Sequence, residues 1–522
     1  MLKALKFPAQ FRHWIMQCVT TASYSLNLNG EVFGFFQGNR GLRQRDPLSP
    51  LLFTICMEYL TRLLSYTTED PEFRFHPLCK PIKLTHLMFA DDLLLFCKGN
   101  VASMMIILRT FSSFSKASGF NMSKGKSNVY FNGVADGIKA DIKQVSGLVE
   151  GSLPFRYLGV PIKTTRLNAH DCKPLIDKVV NRIRGLGTRK LSYAGRLVLI
   201  KSVLKSLHNY WATMFILPSG VITRIESICR NFLWDGGVDF LRSPLVSWKK
   251  ICKPKQEGGL GLKEDVLWNK AAVGKLVWWI YFKPDHLWVR WINHTYLKGQ
   301  EWQNYTPTTS SSWYWRKVCQ TKESLAEAYQ QQEWSNQNGR EYTIAKGYEW
   351  LREKGEKVQW SGLVWNKWSI PKHSFLAWLY HHGNMNTNAI LFNLGIREND
   401  TCYLCGCGRE ALEHLFFRCD YSTKILDLVR AKLGIRIPRD DILRWRLSRR
   451  GTKEDKGAIN AMINACMYLI WQQRNSSREH ASILRPSKIV EQLLQVLKLR
   501  FKALIRGGSG WIRRCIDEVE QS

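Results

Sequence analysis

The chain has 522 residues, of which 45% are hydrophobic, so it can bury substantial cores and is expected to hold two to four domains. Its formal net charge of +33 indicates an anionic partner, most simply nucleic acid; a solvated charged surface is the alternative. No run of about eighteen apolar residues predicts a membrane span, and the first residues lack a signal-peptide pattern. The 14 unevenly spaced cysteines exclude a dense disulfide scaffold and favour a reducing compartment, hence a nuclear or cytoplasmic location.

The first motif in chain order is a basic, glycine-containing loop that leads into a helical pattern. Residues 38–48 read GNRGLRQRDPL, and backbone N–H and guanidinium groups in such a loop can contact phosphates. Ser49 is predicted to cap the helix and Pro50 to occupy its first position. Apolar residues then recur at helical spacing, at Leu51, Leu52, Ile55, Cys56, Tyr59, Leu60, Leu63 and Leu64.

The next motif, Phe89-Ala90-Asp91-Asp92, lies between two short apolar runs and predicts a β-hairpin. Two adjacent carboxylates are costly unless something positive neutralises them. Mg²⁺ is commonly held by one or two carboxylates together with substrate phosphates, so the Asp91–Asp92 pair is a candidate phosphoryl-transfer site. The alternative is an exposed turn, in which aspartate is common.

Beyond the hairpin the pattern is mostly helical. Helical periodicity is strong over residues 173–184, 194–211, 458–474 and 486–505. Residues 264–358 are rich in tryptophan, at Trp278, Trp279, Trp288, Trp291, Trp302, Trp313 and Trp315. Large aromatics at helical spacing are usually core, although aromatics beside basic residues can also stack on bases.

A metal-ligand pattern follows near the C-terminal end. Cys402 and Cys405 form a C-x-x-C knuckle, and His414 and Cys419 lie close enough along the chain to converge from one short helix. Three thiolates and one imidazole suit tetrahedral Zn²⁺, and four ligands without an open position indicate a structural site. Cys407 is a spare thiol. The alternative is a cluster of free thiols in a turn.

Taken in order, these motifs resemble the reverse transcriptases of LINE-type, non-LTR retrotransposons, particularly the plant kind. The resemblance extends from about residue 10 to about residue 475. It includes residues 38–50, Phe89 to Asp92, residues 119–127, YLGVP at 157–161, residues 191–204, FLW at 232–234, GGLG at 258–261 and the Cys402–Cys419 segment.

That resemblance implies an RNA-directed DNA polymerase with RNA and DNA as partners and with Mg²⁺ and Zn²⁺ as cofactors. Asp91 and Asp92 would be the catalytic Mg²⁺ ligands. Arg43, Gln44 and Lys124 would contact nucleotide or template. The following thumb would hold the primer–template duplex, and Cys402, Cys405, His414 and Cys419 would bind Zn²⁺.

Two departures from the family pattern bear on activity. The family needs a third carboxylate on an earlier palm strand, and the only acidic residue before Arg45 is Glu31, which reads as part of a hairpin turn. Arg45 stands where the family has glycine, and arginine does not adopt positive φ as glycine does. We therefore expect a truncated copy that begins within the palm and is catalytically incomplete on its own.

The sequence predicts an α+β chain with five parts: a partial reverse-transcriptase palm (1–133), a mostly helical thumb and connection (134–263), a Trp-rich helical linker region (264–358), a helical reverse-transcriptase zinc-binding domain (359–450) and a helical tail (451–522). Three functional hypotheses remain open. The chain is a reverse-transcriptase-derived polymerase fragment, a non-catalytic nucleic-acid-binding protein that uses the basic thumb and zinc module, or a decayed fragment without a selected role. Its oligomeric state is not indicated.

Overall fold

The computed structural model describes residues 1–38, 41–43, 45–186, 191–239, 241, 243–334, 341–435, 437, 442–448, 451–480 and 482–504. These residues form two compact units, one made of Met1–Thr165 with Trp278–Ser311 and the other of Arg166–Val277 with Ser312–Ser522. Long helices and a few short strands confirm the predicted α+β class. The five-part division of the chain stays a prediction. No helix of the described residues has the length and apolar character needed to cross a bilayer.

The first unit combines hairpins with four main helices. Its elements are α1 (Ala9–Thr20), β1 (Ser23–Leu28), β2 (Glu31–Gln37), α2 (Ser49–Tyr66), β3 (His86–Phe89), β4 (Asp92–Leu95), α3 (Val101–Ser118), β5 (Asn128–Val129), α4 (Asp136–Ser146), β6 (Val149–Glu150), β7 (Phe155–Tyr157), β8 (Val160–Ile162) and α11 (Leu287–Ile292). The strands pair two by two, β1–β2, β3–β4 and β7–β8 antiparallel and β5–β6 parallel. The core under the β3–β4 hairpin is formed by α2 and α3, through Leu60, Leu64 and Phe114.

Two sequence predictions about this unit have different outcomes. The turn at Asn29-Gly30 joins β1 to β2 with both residues at positive φ, which confirms the predicted hairpin turn beside Glu31. The prediction that Ser49 caps α2 is wrong, because the helix begins at Ser49 itself. The Ser49 hydroxyl instead donates to the Arg43 carbonyl at 2.6 Å, and thereby ties the preceding loop to the first turn.

The second unit is almost entirely helical. Its helices are α5 (Lys173–Gly185), α6 (Tyr193–Leu199), α7 (Lys205–Met214), α8 (Ser219–Asp235), α9 (Trp248–Cys252), α10 (Asp265–Phe282, whose last residues fall in the first unit), α12 (Trp313–Gln330), α13 (Ile344–Leu351), α14 (Ser361–Val364), α15 (Pro371–His381), α16 (Asn388–Asn393), α17 (Asp420–Leu433), α18 (Ile442–Ser448), α19 (Lys453–His480) and α20 (Pro486–Leu504). A π-helical turn, Ile200–Leu204, joins α6 to α7. The long helix α19 packs against α14, α15 and α20.

The predicted helices of this unit are confirmed within the described residues, and three of the seven tryptophans named in the sequence are core, whereas the other four are half-buried. Helix α5 covers the predicted 173–184 segment, α6 to α7 covers 194–211, α19 covers 458–474, and α20 follows the last prediction as far as Leu504. Trp315, and in the first unit Trp278 and Trp302, are at most 7% exposed, so burial accounts for these three large side chains.

Candidate functional site

The first candidate site is the tip of the β3–β4 hairpin. Phe89 pairs with Asp92, and Ala90 and Asp91 form the two-residue turn, with Ala90 at φ +50°. The carboxylates of Asp91 and Asp92 are exposed, and neither makes a hydrogen bond or ion pair to another described residue. The prediction of a hairpin is therefore confirmed, and both acidic side chains are available to a cation from solvent.

The hairpin is held firmly on the helices beneath it. Met88 and Leu93 pack against the α2–α3 core, whereas Phe89 on the opposite face is 63% exposed. His86 Nε2 lies 3.2 Å from the Thr61 hydroxyl of α2, and burial lowers the pKa of this imidazole. Because alternate residues of a strand face opposite sides, this packing fixes the orientation of Asp92.

The donor set at the hairpin fits one Mg²⁺, since two carboxylates together with substrate phosphates and waters complete its oxygen shell. Within the described part of the chain, no third His, Cys, Asp or Glu joins Asp91 and Asp92 to make a metal-binding group. The rest of the ion's shell would therefore have to come from substrate phosphates and waters. Such an ion would neutralise charge developing on phosphate oxygens.

The loop before α2 lies in a compact turn. The Leu48 N–H donates to Asp46 Oδ1 at 2.8 Å, and Arg45 adopts φ +65°. The expectation that arginine would not take this conformation is wrong; it takes it at a cost of about 1 to 2 kcal/mol. Arg43 is exposed, and Gln44 lies outside the described residues. Because the backbone at position 45 has positive φ, glycine suits this position, as in the family pattern.

Lys124 lies elsewhere in the first unit, on a 3₁₀ turn (Lys124–Lys126) that follows α3. Its side chain is exposed. No hydrogen bond or ion pair in the described residues joins Lys124 or Arg43 to Asp91 or Asp92. The predicted contacts of these two cations to nucleotide or template stay predictions.

The second candidate site brings together all four predicted zinc ligands. Cys402, Cys405, His414 and Cys419 place one ligand atom each within 4.8 Å of all the others. Cys402 Sγ lies 3.9 Å from Cys419 Sγ, and Cys405 Sγ lies 3.4 Å from His414 Nε2. Zn–S bonds of about 2.3 Å and Zn–N bonds of about 2.0 Å put neighbouring ligand atoms of a tetrahedron about 3.4 to 3.8 Å apart. The measured distances therefore fit zinc.

Local backbone geometry produces this arrangement. The Cys402 N–H donates to the Gly408 carbonyl and the Gly406 N–H to the Cys402 carbonyl, which closes the knuckle. Gly408 has φ +74°, and a Cβ there would lie 3.2 Å from the His414 ring. Glycine at this position therefore permits both the turn and the approach of the imidazole.

Of the other two ligands, His414 begins a π-helical turn and Cys419 directly follows that turn, where α17 begins, so the predicted single short helix is not what positions them. The turn is His414–Arg418, and the Cys419 N–H donates to the His414 carbonyl at 2.7 Å. The Cys402 thiol donates to Cys419 Sγ, and this hydrogen bond, with help from the backbone N–H groups of Tyr421 and Ser422, lowers the pKa of Cys419 to about 5. The same hydrogen bond, together with burial, raises the pKa of Cys402, so the pair holds its thiolate at Cys419 and metal binding would have to displace the proton of Cys402.

A buried ion pair that the sequence analysis missed supports the knuckle. Glu410 and Arg474 are both 0% exposed, and Arg474 Nη2 donates to Glu410 Oε1 at 2.6 Å. Glu410 also accepts the backbone N–H of Tyr403, inside the C-x-x-C knuckle, and the backbone N–H of Asn388. One carboxylate therefore joins the knuckle to α16 and α19. The sequence feature that could have indicated a buried arginine is the position of Arg474 on the apolar stripe of α19, in line with residues 463, 467 and 470.

Both sites fall within matches to known families. Residues 1–162 match the family described as reverse transcriptase (RNA-dependent DNA polymerase), and residues 342–425 match the family described as zinc-binding in reverse transcriptase. The chain thus carries a reverse-transcriptase segment and a reverse-transcriptase zinc-binding segment. The predicted relationship to LINE-type retrotransposon reverse transcriptases is confirmed.

The most similar curated relatives include plant and insect proteins. A protein of Arabidopsis thaliana named for ribonuclease H is 30% identical over 162 residues, which is 31% of this chain and 26% of that protein. Retrovirus-related Pol polyproteins from the type-1 retrotransposable element R2 are 24% identical in Nasonia vitripennis, over 80% of this chain, and 22% identical in Popillia japonica, over 44%. The chain spans 38% of each of these two polyproteins.

Proposed function

We propose that this chain is a retrotransposon-derived reverse-transcriptase fragment of the RNA-directed DNA polymerase class that does not extend a primer by itself. The observation that carries the proposal is the exposed Asp91–Asp92 pair, which has no third metal ligand beside it among the described residues. An in-line phosphoryl-type transfer needs ions that stabilise both the attacking and the leaving oxygen. Two carboxylates on one hairpin offer one ion a partial shell and give a second ion no dedicated ligand.

The chain's own residues would still provide one metal site and cationic contacts to the substrate. The hairpin would position a Mg²⁺ ion at Asp91 and Asp92, and the ion would neutralise phosphate charge. Arg43 and Lys124, both exposed cations of the same unit, would contact nucleotide or template as the resemblance implies. Positioning and charge stabilisation account for most of the catalysis of such transfers, so a missing metal ligand costs rate directly.

The test is primer extension on a primed RNA template with Mg²⁺ or Mn²⁺, with the Asp91→Ala/Asp92→Ala variant as the matched control. We expect no extension by either protein. Extension by the unaltered chain that disappears in the double variant would overturn the proposed incompleteness. A fluorescence-anisotropy measurement on the same primed template checks that the protein still binds its substrate.

The second candidate function is non-catalytic nucleic-acid binding through the basic thumb and the zinc module. The net charge of +33 and the Cys402–Cys419 ligand set favour it. A site with four protein ligands leaves no open position for chemistry, so Zn²⁺ here would stabilise the fold. Affinity for RNA or DNA that falls steeply with salt would support this function, because phosphate contacts release counterions. A nuclear or cytoplasmic location belongs to the same proposal.

A further inference from the structure

A concentrated group of lysines lies in α9 and in the segment that joins it to α10 of the second unit. Residues 249–263 read KKICKPKQEGGLGLK and contain five lysines. A sixth lysine, Lys201, comes from the π-helical turn between α6 and α7. Lys249 Nζ lies 3.9 Å from Glu353 Oε2 and is left aside. We call the other five, Lys201, Lys250, Lys253, Lys255 and Lys263, the lysine cluster.

Two members of the lysine cluster approach each other at one glycine. Lys201 Nζ donates to the Leu260 carbonyl at 2.5 Å. A Cβ at Gly261 would lie 3.7 Å from Lys201 Nζ and 4.0 Å from Lys255 Cγ. The two side chains therefore flank Gly261, whose lack of a side chain leaves the space between them open.

The backbone that carries the lysine cluster is rigidly built. The Gly261 N–H donates to the Lys253 carbonyl at 2.9 Å. Trp378 Nε1 and His382 Nε2 both contact the Gly258 carbonyl, at 2.8 and 2.7 Å. A loop fixed by side chains of α15 presents its lysines in a set arrangement, so a ligand would not have to order them.

The positive charge of the lysine cluster is poorly compensated. Lys201, Lys250, Lys253 and Lys255 make no ion pair within the described residues, and all four are exposed. The nearby carboxylates of Glu257 and Glu349 are already bound by Arg352, and Glu349 also contacts Lys263 at 3.3 Å. Although Lys201 is exposed as a whole residue, partial desolvation of its amino group, together with the charges of Lys255 and Lys263, lowers the pKa of Lys201 to about 8. These four positive charges, which have no carboxylate partner among the described residues, would attract an anion.

We propose that the lysine cluster binds successive phosphates of a nucleic-acid strand, with Lys201 and Lys255 as the central contacts. Lysine recognises phosphate as a point charge, and a row of such charges suits a repeating phosphodiester backbone. An acidic peptide is the competing occupant, but the cluster presents no guanidinium to bind its carboxylates bidentately. This inference rests on the proposed function in taking nucleic acid as the ligand. It adds that the phosphates are bound by lysines of the second unit.

The test measures binding of the full chain to labelled single-stranded RNA and DNA by fluorescence anisotropy over a range of salt concentrations. For Lys201→Gln/Lys255→Gln we expect the slope of log Kobs against log salt to become less negative by about 1.4, since each lost phosphate contact on a single strand removes about 0.7. At 0.15 M salt this corresponds to roughly tenfold weaker binding. Lys250→Gln/Lys253→Gln, which removes no described hydrogen bond, should have the same effect.

The matched control is Lys139→Gln/Lys488→Gln. These lysines make exposed ion pairs with Asp136 and Glu491, so their removal changes the net charge equally without touching the lysine cluster. An equal change of slope in cluster and control variants would overturn the proposal in favour of diffuse charge. A full chain that binds RNA or DNA while its cluster variants bind unchanged would refute the site and leave the proposed function intact.

Two further outcomes separate the inference from its premise. A full chain that binds neither RNA nor DNA would remove the nucleic-acid function itself. Cluster-dependent binding of poly-glutamate without binding of nucleic acid would replace the proposed occupant by an acidic protein. Thermal unfolding of each variant checks its fold. Lys201→Gln/Lys255→Gln loses the Lys201–Leu260 hydrogen bond but relieves like-charge repulsion, so we expect only a small change in the unfolding midpoint.

Discussion

Replacing Glu410 by leucine should strongly destabilise the second unit. The change leaves the Arg474 guanidinium, which is 0% exposed, without its carboxylate. Breaking a buried pair from one side typically costs about 3 to 5 kcal/mol. Glu410→Leu also removes the acceptor of the Asn388 and Tyr403 N–H groups, which lie at 2.8 and 3.1 Å, at about 1 to 3 kcal/mol each. We therefore expect a total of about 5 kcal/mol or more.

The double variant Glu410→Leu/Arg474→Met separates these two costs. Replacing both members of a buried ion pair by apolar residues is often neutral. Here it should still destabilise by about 2 to 6 kcal/mol, because the two backbone N–H groups remain unpaired. The double variant should thus be more stable than the single variant and less stable than the unaltered chain.

The assay is urea unfolding of the full chain in excess Zn²⁺, followed by tryptophan fluorescence, with zinc affinity measured by chelator competition. Because Tyr403 lies inside the knuckle, we also expect zinc affinity to fall roughly 10- to 100-fold in both variants, as for other residues that orient metal ligands. Equal destabilisation of single and double variants would refute the unpaired-charge argument. A double variant as stable as the unaltered chain would refute the argument from the two N–H groups.

Three further predictions concern single residues. Native mass spectrometry should detect one bound zinc, which Cys402→Ser should lose and Cys407→Ser should retain. Burial lowers the pKa of His373 from 6.5 to about 4, so as the pH falls His373 takes up its proton in the unfolded chain before it does so in the folded chain. The free energy of unfolding should therefore fall by about 3 kcal/mol between pH 6.5 and 4. His373→Asn should reduce this fall, whereas the same change at exposed His480 should not. Arg45→Gly should stabilise by up to about 1 kcal/mol in thermal unfolding, since it relieves left-handed strain; a lower midpoint would contradict this.

Features that depend on neighbours along the chain were predictable. The Asn29-Gly30 turn, the β3–β4 hairpin and helices α5, α19 and α20 follow from turn chemistry and from apolar periods of two or 3.6 residues. The zinc ligands belong to the same class, because a C-x-x-C knuckle and a histidine five residues before a cysteine are local patterns. The four ligand atoms come within 4.8 Å of one another because the chain folds back once, at the turn that closes the knuckle.

Features that depend on distant residues were not predictable. Glu410 and Arg474 are 64 positions apart, and neither residue's immediate neighbours specify the partner. The π-helical turns Ile200–Leu204 and His414–Arg418 were not predicted either, because such turns are rare and occur mostly as single turns within or beside α-helices. The conformation of Arg45 was misjudged because local hydrogen bonds around Asp46 outweigh its intrinsic preference.

The two candidate metal centres differ in what they require from outside the described residues. The Cys402–Cys419 centre takes all four ligands from one short segment, so its metal binding can contribute directly to folding. The Asp91–Asp92 centre offers two exposed carboxylates and depends on substrate phosphates and further ligands to complete an ion's shell. Loss of catalysis would therefore leave the zinc-binding module and the lysine cluster intact, both within the second unit. The proposed nucleic-acid binding and the proposed lack of primer extension therefore rest on different residues, and salt-dependent binding and primer extension must be measured as independent properties.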